Sequence, residues 1–374
     1  MDDKNLVLRL AFAHAKGLGP MRARDLLARL GTVEAVFAEK AASLACLGLE
    51  KAVADNLLSS GNIEFAKKEL HFLQANGVQV TFLGDKDYPF RLRECADAPV
   101  LFMYNGTCSL NAPKMLAVVG TRHATDQGTR FTRQLVADLA GRHPDLVVVS
   151  GLAFGIDITA HKAALDAGIS TIGVMATGLD RFYPAQHKKV ASLMKDQGGL
   201  LTEHFRGDAL VPGCFVSRNR IIAGLCDGVV VVESAADGGA LTTADIANSY
   251  SREVFAVPGR PGDVYSEGCN DLIKQNKAAL VASAADVEFQ LGWDNIKVQT
   301  SESSTFPELN LPDLSEQERL VVSEMRRRGS EIESADLAAF LRVSAAQLSS
   351  IMFAMEMRGL VHRLPGNRYA IGKK

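Results

Sequence analysis

A chain of 374 residues, 47% hydrophobic and with a formal net charge of −2, is long enough for two or three domains with buried cores, and carries no global charge that draws it to nucleic acid or an anionic membrane. Its six cysteines, Cys46, Cys95, Cys108, Cys214, Cys226 and Cys269, have no paired spacing, so neither a zinc site nor a disulfide framework is expected, and no cofactor is implied. No apolar run reaches membrane length, which makes a cytoplasmic protein without a membrane partner the expectation.

Residues 1–76 read as a module of small helices. Leu6, Leu8, Leu10 and Phe12 precede the turn Gly17-Leu18-Gly19-Pro20, and a second amphipathic stretch follows from Met21. Helix, Gly-hydrophobic-Gly turn and helix is the pattern of a helix-hairpin-helix, whose turn either offers N–H groups to a DNA phosphate or serves packing alone. From residue 77 the pattern changes to strands alternating with helices. Strands are expected at 78–82, 100–104, 115–119, 146–150, 171–176, 200–202, 228–233, 253–257 and 279–282, with helices at 126–140, 156–167, 185–197, 217–225, 241–250 and 270–277. Strands apolar on both faces and separated by helices indicate an α/β domain over 77–293 with a mostly parallel sheet covered on both sides. Residues 294–312 lack periodicity and read as a linker, and 313–374 has three helical patterns and a terminal hairpin, the outline of a winged helix. Its supposed recognition helix brings Gln347, Ser349 and Ser350 but no basic residue before Arg358, so partner binding or a structural role is expected there ahead of base reading.

Four constellations in the α/β domain carry the chemistry. In Gly120-Thr121-Arg122-His123 a glycine after a strand permits close approach of an anion and Arg122 can fork onto a phosphate; the alternative is an arginine capping a neighbouring helix. In Ser150-Gly151-Leu152-Ala153-Phe154-Gly155, leading to Asp157, His161 and Lys162, a glycine turn opens a helix. Asp157 and His161 are one turn apart, so Asp157 is expected to orient His161; without a serine or cysteine nucleophile beside them the pair is read as structural and not catalytic. In Ser217-Arg218-Asn219-Arg220 two arginines begin a helix, which suits a polyanion; the alternative is an internal network to Asp227, Glu233 or Asp180. In Glu233-Ser234-Ala235-Ala236-Asp237-Gly238-Gly239 a strand passes through a glycine loop into a helix start, an anion-accepting geometry without the Gly-Lys-Ser ending of a P-loop.

In this order, and together with Tyr88-Pro89, Pro99-Val100-Leu101-Phe102, Gly178-Leu179-Asp180, Tyr183-Pro184, Val257-Pro258-Gly259 and Gly268-Cys269-Asn270, these pieces make the chain resemble the DNA-processing protein DprA/Smf family over nearly its whole length. The resemblance implies an extended Rossmann-like domain that binds single-stranded DNA, dimerises and loads the RecA recombinase in natural transformation, flanked by a helical module of the sterile-alpha-motif or helix-hairpin-helix kind and a winged helix. It implies a mediator and not an enzyme. It also implies a DNA-binding set of Arg122, Lys162, Arg218, Asn219 and Arg220, with backbone donors at Gly120, Gly151 and Gly155. Two departures stand out: Phe154 occupies a position that is basic in some members, and Asp237-Gly238-Gly239 replaces the commoner Ser-Gly-Ser. The rival expectation is a phosphoribohydrolase-like enzyme acting on nucleotides, with Glu233 as its catalytic carboxylate.

Overall fold

The computed structural model describes residues 3–293, 315–327, 331–341, 343–358, 360–364 and 368–371; the expected linker at 294–312, Arg328 and the turn Pro365-Gly366-Asn367 lie outside them. The chain divides into two compact units, Met1–Ile296 and Lys297–Lys374.

The first unit is built on a nine-stranded sheet. Its strands are β1 (Gln79–Phe82), β2 (Leu101–Gly106), β3 (Lys114–Val119), β4 (Leu146–Ser150), β5 (Ser170–Val174), β6 (Gly198–Thr202), β7 (Gly228–Val231), β8 (Glu253–Ala256) and β9 (Ala279–Leu280), arranged β1-β2-β6-β5-β4-β3-β7-β8-β9. The run from β6 to β9 is parallel, while β1, β2 and β6 pair antiparallel. Alternation along β3 divides its side chains between two cores. Met115, Ala117 and Val119 pack with Ile221, Ile222 and Ala244 of helices Pro212–Leu225 and Gly239–Ser249, whereas Leu116 and Val118 pack with Leu135, Ala160 and Val287 of helices Asp126–Arg142, Ile156–Asp166 and Ala284–Leu291. A strand buried on both faces must be apolar at every position, which is what the sequence pattern registers.

The order reverses between β3 and β7: β3 to β6 are laid down to one side, β7 to β9 to the other. In open parallel sheets the crevice outside such a switch point is where a ligand finds room, because the two flanking crossovers leave on opposite faces.

Helices Asp3–His14, Pro20–Leu30 and Ser60–Ala75, with shorter ones between, form the N-terminal region. They share a core with the sheet, since Leu10, Phe12, Leu57 and Leu73 cluster with Phe82, Leu101 and Met103 of β1 and β2 and with Phe205. The hairpin turn has Gly17 at φ 84°, but the Lys16 N–H donates to Asn56 Oδ1 at 2.8 Å and the Leu18 N–H to the Ala15 carbonyl at 3.1 Å. Two donors a phosphate would need are therefore used within the module.

The second unit has helices Glu316–Arg327, Ser334–Leu341 and Ala345–Met357 and an antiparallel sheet of β10 (Glu331–Glu333), β12 (Arg368–Ile371) and β11 (Val361–Leu364), in that order. Val322, Met325, Leu348, Met352 and Met355 fill its own core. Both units together give a mixed α/β protein with a helical N-terminal region and a C-terminal unit of helices and sheet. Among the described residues no helix is long and apolar enough to cross a membrane.

Candidate nucleic-acid interface

At the C-terminal edge of the sheet the loops after β3, β4 and β7 are laced together by backbone. Thr121 N–H donates to the Glu233 carbonyl at 2.7 Å, and Ile156 N–H to the Thr121 carbonyl at 3.2 Å. This explains the glycines differently from the sequence reading. Gly155 has φ 76°, and a Cβ there would lie 2.1 Å from the Thr121 carbonyl oxygen, so the residue is glycine because another loop passes against it. Gly120 is likewise closed off, by Ile156 at 2.6 Å.

Arg218 is the centre of this lacing. Its helix begins at Pro212, so Ser217-Arg218-Asn219-Arg220 lies beyond the first turn and not at the helix start expected from the sequence. The Arg218 side chain is buried: Nη1 donates to the Gly151 carbonyl at 2.6 Å and the Val174 carbonyl at 2.5 Å, joining the ends of β4 and β5, and Nε donates to Asn219 Oδ1 at 3.2 Å. A Cβ on Gly151 would meet that guanidinium at 2.3 Å. Burial lowers the Arg218 pKa to about 10, with Asp157 acting in the other direction.

Asp157 and His161 do not bond to each other, contrary to the helical-spacing argument. The buried Asp157 carboxylate accepts from Gly151 N–H at 3.1 Å and Ala153 N–H at 3.4 Å; burial pushes its pKa up, against the Arg218 charge and those donors. Gly151 N–H is therefore not a spare donor for a ligand. His161 Nε2 accepts from Leu152 N–H at 3.4 Å, which assigns its proton to Nδ1, 2.7 Å from Thr171 Oγ1. The ring is neutral, its pKa lowered to about 3, first by burial and then by the Arg218 charge. Both residues orient the loop after β4, each through different atoms.

Arg220 is buried as well and pairs with Glu203, the residue following β6; its Nη1 has no protein partner. None of Asp227, Glu233 and Asp180 fills that place. Asp227 holds Arg91 at 2.7 Å, and Glu233 accepts from Thr125 Oγ1 at 2.5 Å and Thr125 N–H at 2.9 Å at the start of helix Asp126–Arg142. Glu233 thus secures a helix start, which removes the physical basis for reading it as a catalytic carboxylate.

These contacts leave a cavity of about 400 Å³ at the switch point, bounded by Thr121, Arg122, His123, Asn219 and the start of helix Gly239–Ser249, with Arg218 and Asp157 beneath. Arg122 and His123 are exposed, and the Arg122 guanidinium lies 5.2 Å from the Phe215 ring centroid. Gly238, the N-cap of that helix, supplies no side-chain cap, so the first-turn N–H groups face a site of positive potential. Lys162 and Asp237 are exposed but do not line the cavity. The sequence reading missed Glu203 and the part played by Tyr265, which lines the cavity 6.3 Å from the His123 ring; neither has a local motif to reveal it. The arrangement can hold an anion. Among the described residues no group of three or more His, Cys, Asp or Glu is placed to bind a metal.

The DNA processing protein DprA of Streptococcus pneumoniae is 43% identical to this chain over 203 residues, 54% of this chain and 71% of that protein. An X-ray structure of DNA processing protein A from the same organism matches with a TM-score of 0.67 at 34% identity, covering 76% of this chain and 97% of that one. The Helicobacter pylori DNA processing protein A, solved for its single-stranded DNA binding mode, matches with a TM-score of 0.52 at 28% identity over 59% of this chain and 98% of that one. The family model described as DNA recombination-mediator protein A, a mediator and not an enzyme, matches residues 79–291. With more than half its length inside that model, and with β3, β4, β7 and the Arg218 helix all within it, the chain belongs to the DNA recombination-mediator protein A family.

Proposed function

We propose that this protein is a cytoplasmic, homodimeric mediator that binds single-stranded DNA without sequence preference and loads RecA recombinase onto it in natural transformation. The carrying observation is the switch-point cavity with exposed Arg122 at its mouth and an uncapped helix N-terminus in its wall. Exposed cationic groups and backbone donors recognise phosphate, which carries no base code. The single-stranded DNA binding mode of the Helicobacter pylori neighbour supports the same ligand. In this reading residues 77–293 are an extended Rossmann-like domain, 1–76 a helix-hairpin-helix or sterile-alpha-motif module, and 313–374 a winged helix reached through a linker.

The DNA-binding set divides by burial. Arg122 and Asn219 meet the strand directly, and exposed Lys162 extends the basic path. Arg218 contributes charge from beneath the cavity, while Arg220, Gly120, Gly151, Gly155, Asp157 and His161 hold the loops in shape. Fluorescence anisotropy with mixed-sequence oligonucleotides tests this: affinity falls by about 0.7 log units per phosphate contact for each tenfold rise in salt. Arg122→Ala weakens binding by about tenfold and lowers the salt slope by about 0.7. A flat salt response, or wild-type affinity in Arg122→Ala, overturns the reading.

A further inference from the structure

A second cavity, about 640 Å³, shares Tyr265 with the first as a lining residue. It is bounded by the start of helix Asp126–Arg142, by Glu233 after β7, and by the loop that joins β8 to helix Val264–Lys274. That is room for a whole nucleotide. Phe131, Val257, Pro258 and Val264 give it apolar walls. Arg130, from the first helix, and Arg260, from the loop, line it and are exposed, and among the described residues neither guanidinium has a hydrogen-bond or ion-pair partner. Three carboxylates share the lining, but each is offset within the fold. Glu233 accepts from both Thr125 donors, Asp126 stands in the first turn of its helix, and Asp263 is the N-cap of the next, where the macrodipole favours negative charge. The two arginines are left as the uncompensated charges of the cavity.

We infer that this cavity is a second phosphate site for the same strand: Arg130 and Arg260 take a phosphate farther along the chain from the one at Arg122, with its sugar against the apolar walls. The inference rests on the single-stranded DNA reading and extends the strand's path beyond the switch point. The route between the cavities is rigid. The His123 and Tyr265 rings stack at 6.3 Å, the Tyr265 carbonyl accepts from Ser234 N–H at 2.7 Å, and the Ser234 carbonyl accepts from Gly268 N–H at 3.0 Å. The start of helix Val264–Lys274 is thereby pinned to the loop after β7 that walls the first cavity. Two cationic cavities side by side on one sheet edge suit the repeated charge of a polymer, whereas a small free anion needs only one of them.

The test compares two end-labelled mixed-sequence single strands, about five and about twenty nucleotides long, by anisotropy against the full-length protein. Arg130→Gln combined with Arg260→Gln weakens the long strand by about tenfold and lowers its salt slope by about 1.4, two contacts' worth. The short strand, held at Arg122, stays within about twofold of wild type. Arg133→Gln, at an exposed arginine of the same helix that does not line the cavity, leaves both strands within about twofold. Because the substituted side chains are exposed and unpaired, circular dichroism, melting and mass by light scattering match wild type. A double variant that binds the long strand like wild type, that weakens both strands equally, or that changes mass overturns the second site while leaving binding at Arg122 intact. So does an Arg133→Gln loss as large as that of the pair. Failure of wild type to bind either strand overturns the single-stranded DNA reading and the second site with it.

Discussion

Arg218 and Arg122 look alike in the sequence and act differently in the molecule. One is buried under two strand-end carbonyls and the other is exposed at the cavity mouth, and what decides between them is Gly151, 67 residues away from Arg218. The sequence marks Arg122 by the glycine before it and Arg218 by the Arg-Asn-Arg run, but which way a guanidinium turns depends on partners far along the chain. The same holds for His161, whose spacing to Asp157 was legible and whose bond to Thr171 was not. That buried ring makes a pH prediction. Its folded pKa, about 3, lies below the ordinary 6.5, so the unfolded chain takes up a proton first as pH falls. The stability contributed is complete above pH 6.5 and declines below it, by about 2 kcal/mol near pH 5 from this residue alone. Ring signals of His161 in NMR should stay constant from about pH 7 to about pH 4.5. A midpoint inside that range would show that the ring is not sealed in.

Between β6 and helix Pro212–Leu225 the Glu203 and Arg220 pair is a joint made of charge, inside the layer that otherwise packs through Ile221, Ile222 and Leu225. Removing one partner leaves a buried charge uncompensated, so Glu203→Leu should cost about 3 kcal/mol in urea unfolding, while Glu203→Leu with Arg220→Met should recover most of it. Equal losses in both variants would mean that the site needs shape there and not charge balance. At this scale the sequence was most readable where strands are buried on both faces, as β3, β4 and β7 show. It was least readable at element starts. Helix Pro212–Leu225 begins five residues before 217, because Pro212-Gly213 resembles a loop although proline is well suited to a first turn. Helix Ala284–Leu291 was not read at all, yet it carries a capping box between Ser283 and Asp286 that the sequence displays. β10, three residues long, offers no period to detect and is a strand by pairing with β12.

Over the whole molecule the order helices, α/β sheet, small tail was legible from the change in hydrophobic period. The shared core of the first unit was not, because nothing local in Leu10 or Leu73 announces that its neighbours are Leu101 and Met103. The tail has a core of its own, so a chain ending at Trp293 should keep single-strand affinity within about tenfold, roughly 1.4 kcal/mol, and keep its mass state by light scattering. A larger loss would move the working surface into the tail. The shared core also bears on solubility. A wide open sheet invites foreign strands onto its edges. Here β9 is two residues long, too short to template another chain, and at the far end the β1 and β2 ribbon runs against the parallel grain with apolar side chains sealed under the N-terminal helices. Copies crowded together, as a polymer ligand would crowd them, therefore find at the β9 border too little strand to pair with.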